Sequence, residues 1–343
     1  MPDKLKIEAD KQAADRKEDH IEMALISGMP LDQADNRFSY EPILSGHYTQ
    51  DLDLSSTICG KTMQYPIWIS SMTGGTEKAK IINYNLAKLC GEYGLGMGLG
   101  SCRQLLYEDK RLSEFDVKAL MPDSPLLINL GIAQVEELVA KGELSVITRL
   151  ISKLSADGLI IHINPLQEWL QPEGDRIMTA PLDTIKAVLA EASYPIMVKE
   201  VGQGFGKASL EALLQLPLEA VELAGFGGTN FSKLELMRSD QLRTESFSSV
   251  LRLGHSCDEM LGYINAIVSA KKVSLKTKKI IFSGGIKGFL DGYYYMKSCK
   301  LPSIYAQASS FLKHALEYDD LARYAKLQIE GLQMSHALLR LKE

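Results

Sequence analysis

Eight short, continuous apolar runs separated by amphipathic stretches are the strongest constraint in this sequence. The runs are Pro66–Ser70, Leu95–Gly98, Pro125–Asn129, Gly158–Ile163, Ile196–Glu200, Ala220–Leu223, Ile280–Ser283 and Ser303–Ala306. Each is too short for a buried helix and apolar on both faces, as a strand covered on both sides of a parallel sheet must be. Helical spacing fills the gaps, at Glu77–Tyr93, Gln134–Leu154, Leu182–Ala192, Lys207–Leu216, Asp258–Lys271 and Lys287–Cys299. Eight such alternations over roughly 250 residues predict a closed (β/α)8 TIM barrel rather than a doubly wound open sheet, which usually has fewer strands. Residues 1–343 then form a single domain, with residues 1–64 packed on the barrel and Asp319–Leu341 as a terminal helix.

Composition narrows what such a chain can do. With 38 Lys plus Arg against 43 Asp plus Glu, the net charge is −5. Polyanion binding needs a cation surplus, so nucleic acid is not an expected partner. No stretch approaches the eighteen or so apolar residues of a membrane span, and the first twenty residues lack a signal-peptide core, so a soluble cytoplasmic protein is expected. Cys59, Cys90, Cys102, Cys257 and Cys299 are odd in number and widely spaced, with no CxxC pair, which fits reduced structural thiols.

In a (β/α)8 barrel the chemistry gathers at the carboxyl ends of the strands. The residues at the end of each run here are consistently polar or glycine-rich: Ser70–Gly75, Gly98–Arg103, Asn129, His162–Glu168, Lys199-Glu200, Gly225–Asn230, Ser283–Lys287 and Ala308-Ser309. The Gly284-Gly285 doublet suits a cup in which backbone N–H groups meet a phosphate, and equally a tight strand-to-helix turn. Lys199 ends a buried strand, where an unpaired ammonium is costly. Its partner is either a carboxylate such as Glu200 or the carbonyl of a bound ligand. His162 and Asn164 lie two apart on a strand and share a face, while Pro165 ends the strand and aims Gln167 and Glu168 over the opening. The run Arg16-Lys17-Glu18-Asp19-His20 reads locally as a solvated face.

Together these residues resemble the type 2 isopentenyl-diphosphate isomerases, which are flavin-dependent. The likeness is carried by Arg16-Lys17 with Asp19-His20, Ser71–Gly75, Gly100–Arg103, Asn129–Gly131, the heptapeptide His162–Glu168, Val198–Gly202 and Gly227–Thr229. The resemblance implies a barrel that binds reduced FMN and Mg²⁺, takes NADPH as reductant, and interconverts isopentenyl and dimethylallyl diphosphate as a homotetramer or homo-octamer. It implies that Met72, Thr73, Gly74, Ser101, Asn129, Lys199 and Thr229 hold the flavin ring and ribityl chain. Gly284, Gly285, Lys287, Ala308 and Ser309 would surround the flavin phosphate. It further implies that Arg16, Lys17, Ser101, Cys102, Arg103, His162 and Asn164 bind the substrate diphosphate, that Gln167 and His162 are catalytic, and that Glu168 is a magnesium ligand.

Three features depart from the family pattern. Lys287-Gly288-Phe289 replaces an Arg followed two residues later by Gly, which loses a guanidinium fork. The eighth strand, Ile304–Gln307, carries less glycine than usual. Phe231 stands where Trp is frequent, ahead of a polar stretch, Ser232–Asp258, that reads as a lid or as a surface insertion. The competing readings are another FMN-dependent barrel enzyme, such as an α-hydroxy-acid oxidase or a purine-nucleotide dehydrogenase, and a non-enzymatic flavin carrier. The oxidases need a His base with paired arginines, the dehydrogenases a loop Cys, and a carrier has no use for diphosphate-binding cations.

Overall fold

The computed structural model describes residues 13–47, 52–71 and 74–342. All eight predicted runs are strands of one closed parallel barrel. In chain order they are β1 (Ile67–Ile69), β2 (Gly96–Ser101), β3 (Leu126–Gly131), β4 (Gly158–Ile163), β5 (Ile196–Glu200), β6 (Ala220–Glu222), β7 (Ile280–Phe282) and β8 (Ser303–Gln307). Parallel pairing of β8 with β1, through Tyr305 against Ile67, closes the ring.

Local chemistry sets the helix limits. Glu77–Tyr93 begins where the Thr76 hydroxyl accepts from the Ala79 N–H at 3.1 Å. It ends at Gly94, whose φ of 62° is open to glycine at little cost. The stretch read as one helix, Gln134–Leu154, is two, Ile132–Lys141 and Ser145–Lys153, because Gly142 takes a left-handed φ of 66° between them. The terminal helix stops at Leu338. The last residues read as helical, Leu339–Leu341, instead form a short strand antiparallel to Phe38–Tyr40. Arg37 adds an ion pair at 2.8 Å to Asp291, on the helix after β7.

The barrel has two cores. Outward-facing residues of the strands pack with the helices in one large cluster. Inward-facing Trp68, Leu127, Ile160, Met197, Ala220, Ile281, Ile304 and Ala306 fill the barrel itself, with Ile58 and Met63 beneath them. Those last two belong to a hairpin, Ser56–Ile58 with Lys61–Met63, that stoppers the amino-terminal end. Its two-residue turn, Cys59-Gly60, has φ of 51° and 75°, as the twist of a tight hairpin requires. The Cys59 N–H donates to Glu219 Oε1 at 2.7 Å, which ties the turn to the barrel. All five cysteines are free thiols. Among the described residues no helix is long and apolar enough to cross a membrane.

Candidate active site

Side chains alternate in and out along a strand, so the residue two positions beyond each inner-core residue also faces inward. Those residues are Ser70 after Trp68, Asn129 after Leu127, His162 after Ile160, Lys199 after Met197, Glu222 after Ala220 and Ser283 after Ile281. On these six strands the apolar filling therefore stops abruptly, and the next layer toward the carboxyl ends is polar; β2 and β8 contribute glycine and alanine there. Register carries it sideways, His162 pairing with Lys199 and Lys199 with Glu222.

Two adjoining cavities open above this layer. One, of about 480 Å³, is lined by Ser101, Asn129, His162 and Gln167 among others. The second, of about 520 Å³, reaches to Thr229, Gly284, Gly285, Ala308 and Ser309. Ser71, Lys199, Val201 and Phe231 line both. The Ser71 hydroxyl is buried and has no hydrogen-bond partner.

His162 Nδ1 lies 2.9 Å from Asn129 Oδ1. A carboxamide oxygen only accepts, so Nδ1 carries the proton and Nε2 a lone pair. Burial, reinforced by the Lys199 ammonium, pushes this imidazole down to about 3, and it is neutral at physiological pH. Lys199 Nζ donates to the Glu200 backbone oxygen at 2.8 Å, so the neighbouring carboxylate is not the partner it meets. The Glu200 carboxylate is turned elsewhere: its Oε2 accepts from the N–H groups of Gly202, Gln203 and Gly204 at 2.6, 2.6 and 2.8 Å. Burial outweighs those bonds and pushes its pKa up to about 6.

Beyond β4, Asn164 precedes and Pro165 opens a helical turn, Pro165–Leu170, the position where proline's missing N–H costs nothing. That turn brings Glu168 back beneath Asn164, whose Nδ2 donates to Glu168 Oε1 at 2.9 Å. Asn164 Oδ1 is buried without a partner. Gln167 reaches the other way, with Nε2 3.3 Å from Glu235 Oε1. Glu235 is buried on Phe231–Met237, the first helix of the stretch left open as lid or insertion. The next helix, Gln241–Phe247, docks through Arg243 on the carbonyls of Trp169 and Leu170 at 3.1 and 3.0 Å. The stretch therefore borders the cavity and holds the helical turn that carries Gln167.

The glycine-rich ends of β6 and β7 meet face to face. A Cβ on Gly228 would come within 2.9 Å of the Gly284 Cα, and one on Gly284 within 2.1 Å of the Gly225 oxygen. Gly284 and Gly285 have φ of 84° and 75°, so glycine is required twice over. The Lys287 side chain is exposed, and its N–H donates to Asp291 Oδ2 at 2.8 Å.

The remaining expected residues are either placed outside the cavity lining or fall outside the described residues. The Cys102 side chain is fully buried in the outer core, with burial pushing its thiol up to about 12. It is turned from the rim because the chain curls there into the short helix Arg103–Leu106. Arg16 and Lys17 sit on the helix Ala13–Ala24, where Lys17 is exposed and the Arg16 side chain lies outside the described residues. Met72 and Thr73 are also outside them, while Gly74 packs so closely on Phe115 that a Cβ would lie 2.3 Å from its ring. The sequence reading gave no role to Ser70, Ser71, Glu222, Glu235 or Asp175. For Ser70 and Glu222 the signal was present in the two-residue period, since Glu222 is fully buried and accepts the Ser70 hydroxyl.

No family model matches the chain. It is 35% identical over 330 residues to the isopentenyl-diphosphate delta-isomerase of Rickettsia africae (strain ESF-5), covering 94% of this chain and 92% of that one. It is 36% identical over 329 residues to that of Rickettsia akari (strain Hartford), with 93% and 92% covered. Flavocytochrome b2 with sulfite bound shares the fold at a TM-score of 0.61 and 12% identity, over 88% of this chain and 72% of that one. A mandelate oxidase variant with an FMN adduct does so at 0.56 and 10%, over 89% and 88%. A closed parallel barrel with a polar layer and a glycine-lined cup at its carboxyl end is a (β/α)8-barrel enzyme. The chain belongs to the isopentenyl-diphosphate delta-isomerase family.

Proposed function

We propose that this protein is the flavin-dependent, type 2 form of that isomerase, moving the double bond between isopentenyl and dimethylallyl diphosphate with reduced FMN and Mg²⁺. The observation that carries the reading is the pair of joined cavities, one ending in the glycine cup and the other in the His162–Gln167 cluster, with Lys199 and Ser71 between them.

The residues present fit a flavin. The unpartnered Ser71 hydroxyl and the remaining donors of Lys199 face the shared wall, as a ring with carbonyls and nitrogens requires. The cup between Gly228 and Gly284-Gly285 offers N–H groups to a phosphate, with Ala308 and Ser309 beside it. Reduced FMN, when bound, supplies a proton donor and acceptor suited to an unactivated alkene, a role for which the neutral His162 is poorly matched. Mg²⁺ would be held through Glu168, a hard oxygen donor whose two oxygens are oriented by Asn164 Nδ2 and the Asp175 N–H, with waters and the diphosphate completing the shell.

The protein's own groups then divide the work. Arg103, Ser101 and the Glu168–Asn164 pair face the diphosphate end, with Arg16 and Lys17 brought in by the N-terminal segment. Gln167, oriented by Glu235, sits against the reacting carbons, and Phe231 excludes water from them. His162 and Asn129 hold each other, which fixes both in the wall of the cavity that Gln167 lines. NADPH serves as the external reductant, and the enzyme works in the cytoplasm as a homotetramer or homo-octamer. The exposed apolar side chains Leu25, Ile26 and Leu31 are surface that such an assembly would cover.

The experiment is turnover of isopentenyl diphosphate by purified protein loaded with FMN. Activity should appear on reduction without stoichiometric use of reductant; equal rates with oxidised and reduced flavin would overturn the proposal. In the same assay Glu168→Gln should raise the Mg²⁺ needed for half-maximal rate by about tenfold or more.

A further inference from the structure

We propose that Asp175 is a positioning residue for the diphosphate site: it fixes the Arg103 guanidinium on the rim and couples it to the carboxylate of Glu168. The proposal rests on the reading of Arg103 as a diphosphate ligand.

Arg103 lies just past β2, and its side chain is 54% exposed. Left alone, a long side chain with that much freedom would have to be ordered by the ligand, which weakens binding. It is not left alone. Arg103 Nη1 lies 2.8 Å from Asp175 Oδ2 and Nη2 3.3 Å from Oδ1, a two-point grip that sets the plane of the guanidinium as well as its position. Its Nε–H and the outer hydrogens of both terminal nitrogens stay available to an anion.

Asp175 can hold Arg103 only if Asp175 is itself held, and the ends of β3 and β4 do this. Gln134, just past β3, donates its Nε2 to Asp175 Oδ2 at 2.8 Å, while Gln134 Oε1 accepts the Gly131 N–H at 3.1 Å. From the β4 side, the Asp175 N–H donates to Glu168 Oε2 at 2.8 Å. The loop before it is packed without slack, since a Cβ on Gly174 would lie 2.0 Å from the Glu168 backbone oxygen. Asp175 thus joins the cation and the carboxylate that the proposed function assigns to the two sides of one diphosphate. A carboxylate placed beside an anion site would repel the anion if it were free. Engaged by both Arg103 and Gln134, it serves to aim the guanidinium.

Binding of inorganic diphosphate with Mg²⁺, measured by calorimetry on the FMN-loaded protein, tests this in a double-mutant cycle. Asp175→Asn keeps the backbone N–H and the side-chain shape. It should weaken diphosphate binding by about tenfold and raise KM for isopentenyl diphosphate by a similar factor, leaving kcat within about twofold. In an Arg103→Gln background the same substitution should change affinity by less than about twofold, because the group through which it acts is gone. Asp175→Glu should recover part of the loss. Wild-type affinity in Asp175→Asn overturns the proposal, and so does a full tenfold loss in the Arg103→Gln background, which would mark Asp175 as a prop for the loop alone. If the wild-type protein itself does not bind inorganic diphosphate, the assignment of this rim to a diphosphate fails, and the proposal with it.

Discussion

At the scale of single residues, His162 ties the site to pH. Its pKa in the folded protein, about 3, is far below the ordinary value of roughly 6.5. Between those two values the unfolded chain binds the proton and the folded chain does not. His162 therefore contributes stability that is complete above about pH 6.5 and is lost as the pH falls toward 3, with a slope of at most about 1.4 kcal/mol per pH unit. Glu200 acts in the opposite sense. Raised to about 6 from 4.5, it contributes stability at low pH that disappears as the pH rises through that interval. Urea unfolding at a series of pH values should show His162→Asn losing less stability than wild type on acidification from pH 7 to 4; parallel curves would remove the assignment. His162, Asn164 and Lys199 were legible because they end apolar runs, where a polar side chain has no structural excuse. Glu235 and Asp175 were not, because they reach the site from an inserted helix and a loop, and a hydrogen bond such as that between Gln167 and Glu235 spans 68 positions of sequence.

At the scale of elements, every barrel strand was readable from its apolar run, and the errors lie where a boundary depends on distant chain. Gly142 lies inside the stretch read as one helix, where a glycine is often tolerated, and only its left-handed backbone decides. Nothing local in Leu339–Leu341 announces a strand, since its partner is Phe38–Tyr40 at the other end of the chain. The β6–β7 junction gives the prediction at this scale. Gly284→Ala must place a Cβ 2.1 Å from the Gly225 oxygen at a φ of 84°, so the two strand ends have to separate. The expected result is a loss of about 1–3 kcal/mol in stability and a protein that no longer retains FMN through gel filtration. A variant that keeps both its melting temperature and its flavin would show that the cup tolerates widening.

At the scale of the whole molecule, stability and chemistry occupy opposite ends of the barrel. At the amino-terminal end, Lys118 Nζ meets Asp157 Oδ2 at 2.6 Å and the Ser124 oxygen at 2.7 Å. Lys278 likewise meets Glu219 at 2.7 Å, beneath the hairpin that carries Ile58 and Met63. Met63 is fully buried in the inner core, so Met63→Ala should cost about 2–5 kcal/mol while leaving KM near its wild-type value. A variant of unchanged stability would show that the hairpin is not part of the core.

That filled interior also sets the rules of passage. With the barrel packed below, the described residues leave a doorway at the carboxyl end, and whatever goes in must come out past the same sill. Two isomers differing only in where a double bond lies share that doorway and the same berth, so each should hinder the other in the simple manner of rivals for one seat.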